Sequence, residues 1–462
     1  MKNIYREEKD SIGVLNVPCN AYYGIHTLRA KENFQITGKT VHKELITALV
    51  EIKMAAAQTN FEAGILSKDI KDALIKAGNE ILSGSLWDNF LVDTIQGGAG
   101  TSTNMNINEV MANRAIEILG GEKGDYKVVH PNDHVNCGQS TNDVYPSAGR
   151  IAIIRTILKT LEELKQLESS LLNCSLKFKN VIKMGRTEMQ DAVPVGLGRT
   201  FGAYAKAIER DIVHFYDAIK ILSKINMGGT AIGTSINADK KYVHNITKNI
   251  SDITGLELTR AENLIDATQN ADELVFVHGI IKSCAVNLSK ISNDLRLMSS
   301  GPRCGIGEIN LPPRQNGSSI MPGKINPVIP EMMSQISYKI MGNDTTVTVA
   351  AEGGQLELNP FEPIIFHCIL ESLDIIRKGI NSLIINCING ITANEEYCKK
   401  SVLESIGIIT ALCPYIGYTQ SSNIAKEALK ENKNVYDIII EKNIMSCEKL
   451  DEIFDKIIKD AL

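Results

Sequence analysis

Aromatic side chains are scarce in this 462-residue chain: Phe, Trp and Tyr make up 5% of it, with one tryptophan, Trp87. Hydrophobic residues still reach 44%, so the core must be aliphatic, which suits packed helices. There is no basic excess. A formal charge of −5 excludes a non-specific nucleic-acid binder, which needs a basic face, although a local cationic pocket is still allowed. The ten cysteines form no CxxC pair and no Cys/His cluster at zinc spacing. They read as reduced thiols in a cytoplasmic protein. The opening MKNIYREEKD has no apolar segment, so no signal peptide is expected. No uncharged apolar stretch reaches the length of a membrane span.

Proline is also missing over long distances. Residues 147–193, 195–301 and 364–413 contain none. Proline costs about 3 kcal/mol inside a helix, so these gaps permit very long helices. Apolar residues recur there at three- and four-residue steps. One stripe is Ile151, Ile154, Ile157, Leu158, Leu161, Leu164 and Leu167. A second is Val275, His278, Ile281, Ala285, Leu288, Ile291 and Leu295. A third is Phe366, Ile369, Leu373, Ile376, Ile380 and Leu383. All three read as core-facing stripes. No alternating run bounded by hairpin turns suggests a strand.

Four polar segments interrupt this pattern: residues 96–108 (QGGAGTSTNMNIN), 130–145 (HPNDHVNCGQSTNDVY), 183–194 (KMGRTEMQDAVP) and 301–331. Buried loops this rich in hydroxyls and amides need partners, and a dicarboxylate would supply acceptors. In residues 317–327 (GSSIMPGKINP), two glycines give backbone freedom and two prolines restrict it. Ser318, Ser319, Lys324 and Asn326 add two hydroxyls, a cation and an amide, a set suited to a carboxylate. A helix-start turn with serine caps is the competing reading. The loop lacks the Walker phosphate pattern. Ser140, Thr141, Asn142 and Asp143 read either as a capping cluster or as a helix N-terminus that receives a carboxylate. The same two readings stand for Gly100–Asn104, which includes Thr101. Thr187, between Arg186 and Glu188, is by itself an ordinary turn. His130 and His134 lack the helical context of a metal pair.

GSSIMPGKINP is similar to the signature of the aspartase/fumarase superfamily. HPNDHVNCGQSTNDVYP, GAGTSTNMNINEV and GRTEMQDAVP resemble its other blocks, in family order and spacing, so the likeness runs over essentially the whole chain. AYYGIHTLRAKENF, the Ser-Thr-Asn at 140–142 and GNDTTVTVAAEGGQLELN at 342–359 look more like aspartases than class II fumarases.

The resemblance implies an all-α fold in three parts: a mostly helical N-terminal domain (1–140), a central bundle of long helices (141–395) and a small C-terminal helical domain (396–462). It implies a homotetramer whose bundles form a common core, with each active site built from loops of three subunits. The implied reaction is the reversible deamination of L-aspartate to fumarate and ammonia. The alternative is hydration of fumarate to malate. The resemblance makes Ser318 the general base. It places the substrate's beta-carboxylate on Thr101, Ser140, Thr141 and Ser319, its alpha-carboxylate on Thr187, Lys324 and Asn326, and its amino group on Asn142. Glu188 stands where many members have His, and a carboxylate there suits an ammonium better than a hydroxyl. No cofactor is implied. Some aspartases respond to divalent cations, but no ligand set for one is identifiable here. The segment 130–133 resembles a secondary carboxylate-binding loop of fumarases.

Overall fold

A computed structural model describes residues 4–462 of the chain. After a hairpin, β1 (Tyr5–Lys9) and β2 (Val14–Pro18), the chain is predominantly helical: α1 (Ile25–Asn33), α2 (Lys43–Glu62), α3 (Lys68–Leu82), α4 (Thr101–Ile118) and α5 (Thr141–Lys177). A second hairpin, β3 (Ile182–Thr187) and β4 (Gln190–Gly196), leads into α6 (Leu197–Leu222), α7 (Lys240–Thr254), α8 (Leu264–Gln269), α9 (Asp272–Met298), α10 (Val328–Glu352) and α11 (Glu362–Asn386). Five short helices close the chain: α12 (Glu395–Glu404), α13 (Ile409–Ile416), α14 (Tyr418–Glu431), α15 (Val435–Glu441) and α16 (Cys447–Ala461).

Two compact units are present. One comprises the chain up to Thr160 with His214–Lys282 and Lys339–Ile375, and the other Leu161–Val213, Ser283–Tyr338 and Ile376–Leu462. In the first, α2 packs on α3, α4 and α7 and is buried nearly all round, as a helix apolar on every face must be. In the second, the β3–β4 hairpin and α12 to α16 share a core that includes Ile182, Met184, Val402, Leu412, Ile439 and Leu450.

The three apolar stripes are core stripes. Every member is buried except Leu158 and Val275. The proline-free gap 195–301 is not one long helical run, however. It is broken by a glycine-rich loop at 223–239, where Gly228 and Gly233 adopt positive φ. The absence of hairpins also needs correction. Glu188 (φ 52) and Met189 (φ 65) form the two-residue turn between β3 and β4. Such turns normally announce themselves as Asn-Gly or Asp-Gly, and Glu-Met carries no such signal. One helix, α9, is in fact long and apolar enough to cross a membrane by composition, but half of its apolar window is buried. Its His278 is fully buried, with a ring nitrogen 2.9 Å from Asp344 Oδ1. Both features mark a core helix.

At the start of α5, Pro146 sits inside the helix and cannot donate to the Asn142 carbonyl four residues back. Asn226 Nδ2 satisfies that carbonyl instead, at 3.0 Å. The turn that carries Ser140, Thr141 and Asn142 is therefore tied to the 223–239 loop from its first residues.

Candidate active site

In the first unit, a cavity of about 460 Å³ is lined by Thr101, Asn104, Asn136, Gln139, Ser140, Thr141, Thr230, Ala231 and Asn237, among others. The first turns of α4 and α5 both reach it, so two helix N-termini offer partial positive charge to one space. Gly100, just before α4, is at φ 88, and a Cβ there would lie 2.5 Å from the Tyr145 ring. Only glycine allows this approach.

The capping reading of the Ser140 cluster holds. Ser140 Oγ accepts from the Asn142 N–H at 3.2 Å, and Asp143 Oδ1 accepts from the Ser140 N–H at 2.9 Å, a reciprocal cap. Of this cluster, Ser140 and Thr141 also line the cavity. Asn142 lies against its wall, where its Nδ2 donates to Ala231 O at 2.8 Å. That leaves its Oδ1, an acceptor, for a ligand that donates.

Sequence reasoning missed the 228–237 loop and the second role of Asp143, which holds it. Asp143 is fully buried, and its Oδ2 accepts from the N–H groups of Gly228 (3.1 Å) and Thr230 (2.9 Å). The available signal was the Gly-Gly-Thr run at 228–230, hidden within a stretch read only for its lack of proline. His130 and His134 are structural: the Nδ1 of each accepts a backbone N–H. Among the described residues, no group of three or more His, Cys, Asp and Glu is placed to hold a metal. A larger cavity, about 1120 Å³ and lined by Arg150, Arg260, Asp272 and Glu273 among others, is lined by no residue of the four polar segments. Its Arg150 is already paired with Glu273 at 2.7 Å.

The other candidates belong to the second unit. The 317–327 loop is pinned at its base. Gly317 N donates to Lys324 O at 2.8 Å, and Asn326 Nδ2 donates to Gly317 O at 2.7 Å. A Cβ on Gly317 would lie 2.4 Å from Lys324 O, so this closure requires glycine. Within the loop, Ser318 Oγ accepts from the N–H groups of Ile320 (3.2 Å) and Met321 (2.9 Å). Ser319 and Lys324 are exposed. Thr187 and Glu188 are exposed at the hairpin tip, and the Glu188 carboxylate has no hydrogen bond or ion pair with the described residues. The hairpin is anchored below its tip, where Arg186 and Lys183 both pair with Glu308, which is 1% exposed.

Comparison with known proteins places the chain in a family. The lyase family matches residues 13–342, and the family of fumarase C C-termini matches 408–457. The chain is 48% identical to the aspartate ammonia-lyase of Bacillus subtilis over 98% of this chain and 95% of that protein. It is 49% identical to that of Helicobacter pylori (97% and 96%) and 45% identical to that of Escherichia coli (98% and 96%). Among solved structures, a fumarate lyase:delta crystallin from Brucella melitensis bound to cobalt superposes with a TM-score of 0.96 at 44% identity, covering 99% of this chain and 100% of that one. A class II fumarase from Schistosoma mansoni superposes at 0.95 with 35% identity, over 99% of both chains. The full-length identity to the aspartases exceeds that to this fumarase, in line with the Ser-Thr-Asn at 140–142. The chain belongs to the aspartase/fumarase superfamily of lyases, and within it to the aspartate ammonia-lyases.

Proposed function

We propose that the chain eliminates ammonia from L-aspartate, reversibly, with Ser318 as the base. Ser318 first gives up its own hydroxyl proton to solvent; the Cβ–H proton then passes to the Oγ alkoxide, and its electron pair enters the adjacent carboxylate as an aci-carboxylate. The pair then returns to form the double bond of fumarate as the C–N bond breaks and ammonia leaves. The observation that carries this reading is the cradle at Ser318. A serine oxygen abstracts a proton only if its alkoxide is stabilised, and two backbone N–H groups already point at it.

Thr101, Ser140, Thr141 and Ser319 hold the beta-carboxylate, where charge develops, and Thr187, Lys324 and Asn326 hold the alpha-carboxylate. Asn142 receives the ammonium on Oδ1. The site is completed by loops of three subunits of a homotetramer, and the chain divides into N-terminal (1–140), central (141–395) and C-terminal (396–462) parts. The reaction needs no cofactor, since proton abstraction and charge stabilisation are supplied by side chains and N–H groups. Ten unpaired cysteines suit a cytoplasmic location.

Purified enzyme incubated with fumarate should form aspartate when ammonium is present and nothing without it. Malate in the ammonium-free sample would make the chain a fumarase. Glu188, without a hydrogen bond or ion pair among the described residues, offers its carboxylate to the substrate ammonium. Glu188→Gln is expected to raise the KM for aspartate about 3- to 10-fold, the loss of one partly exposed charge contact, while succinate inhibition stays constant. An unchanged KM would confine Glu188 to the turn.

A further inference from the structure

Behind the cavity wall lies a charged group that the elimination chemistry does not use. Lys53, in the middle of the buried helix α2, is 1% exposed. Burying a cation is unfavourable unless its donors are satisfied. Its Nζ donates to Asn136 Oδ1 at 2.7 Å and to Gln139 Oε1 at 2.9 Å, and both of these residues line the cavity. Asn136 Oδ1 also accepts from Asn104 Nδ2 at 3.2 Å and Asn108 Nδ2 at 3.3 Å. The Asn104 amide donates in turn to Thr141 Oγ1 at 3.1 Å. Thr141 therefore accepts from behind, which leaves its own O–H free to donate into the cavity. Gln139 immediately precedes Ser140, the cap of α5.

We propose that Lys53 is a positioning residue of the beta-carboxylate wall: through Asn136 and Asn104 it sets the direction of the Thr141 hydroxyl, through Gln139 it holds the turn at Ser140, and its ammonium charge favours a dicarboxylate there. This rests on the assignment of Ser140 and Thr141 to that carboxylate.

Desolvation lowers the pKa of Lys53 to about 7, opposed by the Asp143 carboxylate. The other ionisable groups around the cluster are Asp143 itself, on α5 and pushed up to about 6 by burial, and the Tyr242 hydroxyl of α7 and Cys137 thiol, both raised by burial. α4 contributes the Asn104 and Asn108 amides. An arriving dicarboxylate brings negative charge toward a partly protonated Lys53, so its binding draws a proton onto the enzyme.

The test is calorimetric titration of the assembled enzyme with succinate, a dicarboxylate that has no ammonia to lose, near pH 7.5 in buffers of different ionisation enthalpy. The native enzyme should take up on the order of half a proton per site. In Lys53→Met the uptake should vanish, succinate affinity should fall about tenfold or more, and the KM for aspartate should rise further than kcat falls. Succinate binding without proton uptake by the native enzyme overturns the proposal, and this arm stands even where Lys53→Met does not fold. A folded Lys53→Met that binds succinate with native affinity and proton uptake overturns it as well. Aspartate turnover by the native enzyme, assayed alongside, separates the two readings. Turnover without uptake removes only the role of Lys53, whereas no turnover removes the lyase assignment beneath it.

Discussion

Ser318→Ala is expected to fold and assemble normally and to lose aspartate turnover by at least about 10²–10⁴-fold, the range for removal of a positioned general base. The stability side follows from the loop. Among the described residues, Ser318 Oγ accepts only from the Ile320 and Met321 N–H groups, and both bonds are exposed to solvent, so water replaces the lost acceptor at a cost of about 1 kcal/mol or less. The activity side follows from the same two donors. In the resting loop they hold a neutral hydroxyl, and when Oγ carries charge each becomes a charge-assisted bond. A single donor preset on an oxyanion stabilises it by about 3–4 kcal/mol, here by making the alkoxide accessible, so the cradle has its effect only while an oxygen occupies it. Fumarate absorbance at saturating aspartate, read beside thermal melts of both proteins, measures both expectations. Turnover within a fewfold of native would move the base to another group.

The candidate site was legible where chemistry and chain contiguity coincide. The Gly317–Asn326 closure, the hydroxyls of Ser318 and Ser319, and the cap at Ser140 all lie within short segments whose residue types state their purpose. The aliphatic stripes were equally readable, because a helix surface repeats every 3.6 residues and burial selects for it. What stayed hidden depends on partners far apart in the chain. Lys53 reads as one polar residue in an apolar helix until Asn136 and Gln139, more than eighty residues on, are seen around its Nζ. Asp143 reads as a cap, and it is one, but its second oxygen holds the 228–230 backbone, which no local pattern announces. The β3–β4 hairpin escaped for a different reason: Glu188 and Met189 adopt left-handed φ without the residues that usually favour it.

Asp143→Asn is the substitution expected to reach furthest from a single atom. The carboxylate has no solvent exposure and accepts three backbone N–H groups, from Ser140 on one oxygen and from Gly228 and Thr230 on the other. An amide presents one acceptor oxygen and one NH2 group, which can only donate. In either orientation at least one buried backbone donor then faces another donor, at about 1–3 kcal/mol. The nearby Lys53 ammonium also loses its opposing charge, which lowers its pKa further. Relief of the buried charge offsets part of that cost, while turnover should fall by about 10²-fold or more, because the Ser140 cap and the 228–230 loop lose their common anchor. The pH dependence separates anchoring from stability. Burial raises Asp143 from 3.8 to about 6. Between those values the folded protein binds a proton that the unfolded chain has released, so this group's contribution to stability falls as pH rises through the window. Its function runs the opposite way. The three N–H groups need an ionised acceptor, so kcat/KM should fall as pH drops below about 6 while this group's contribution to stability grows. In Asp143→Asn both slopes should be absent. An acid limb near pH 6 that persists in the variant would assign that limb to another group and leave Asp143 a purely structural anchor.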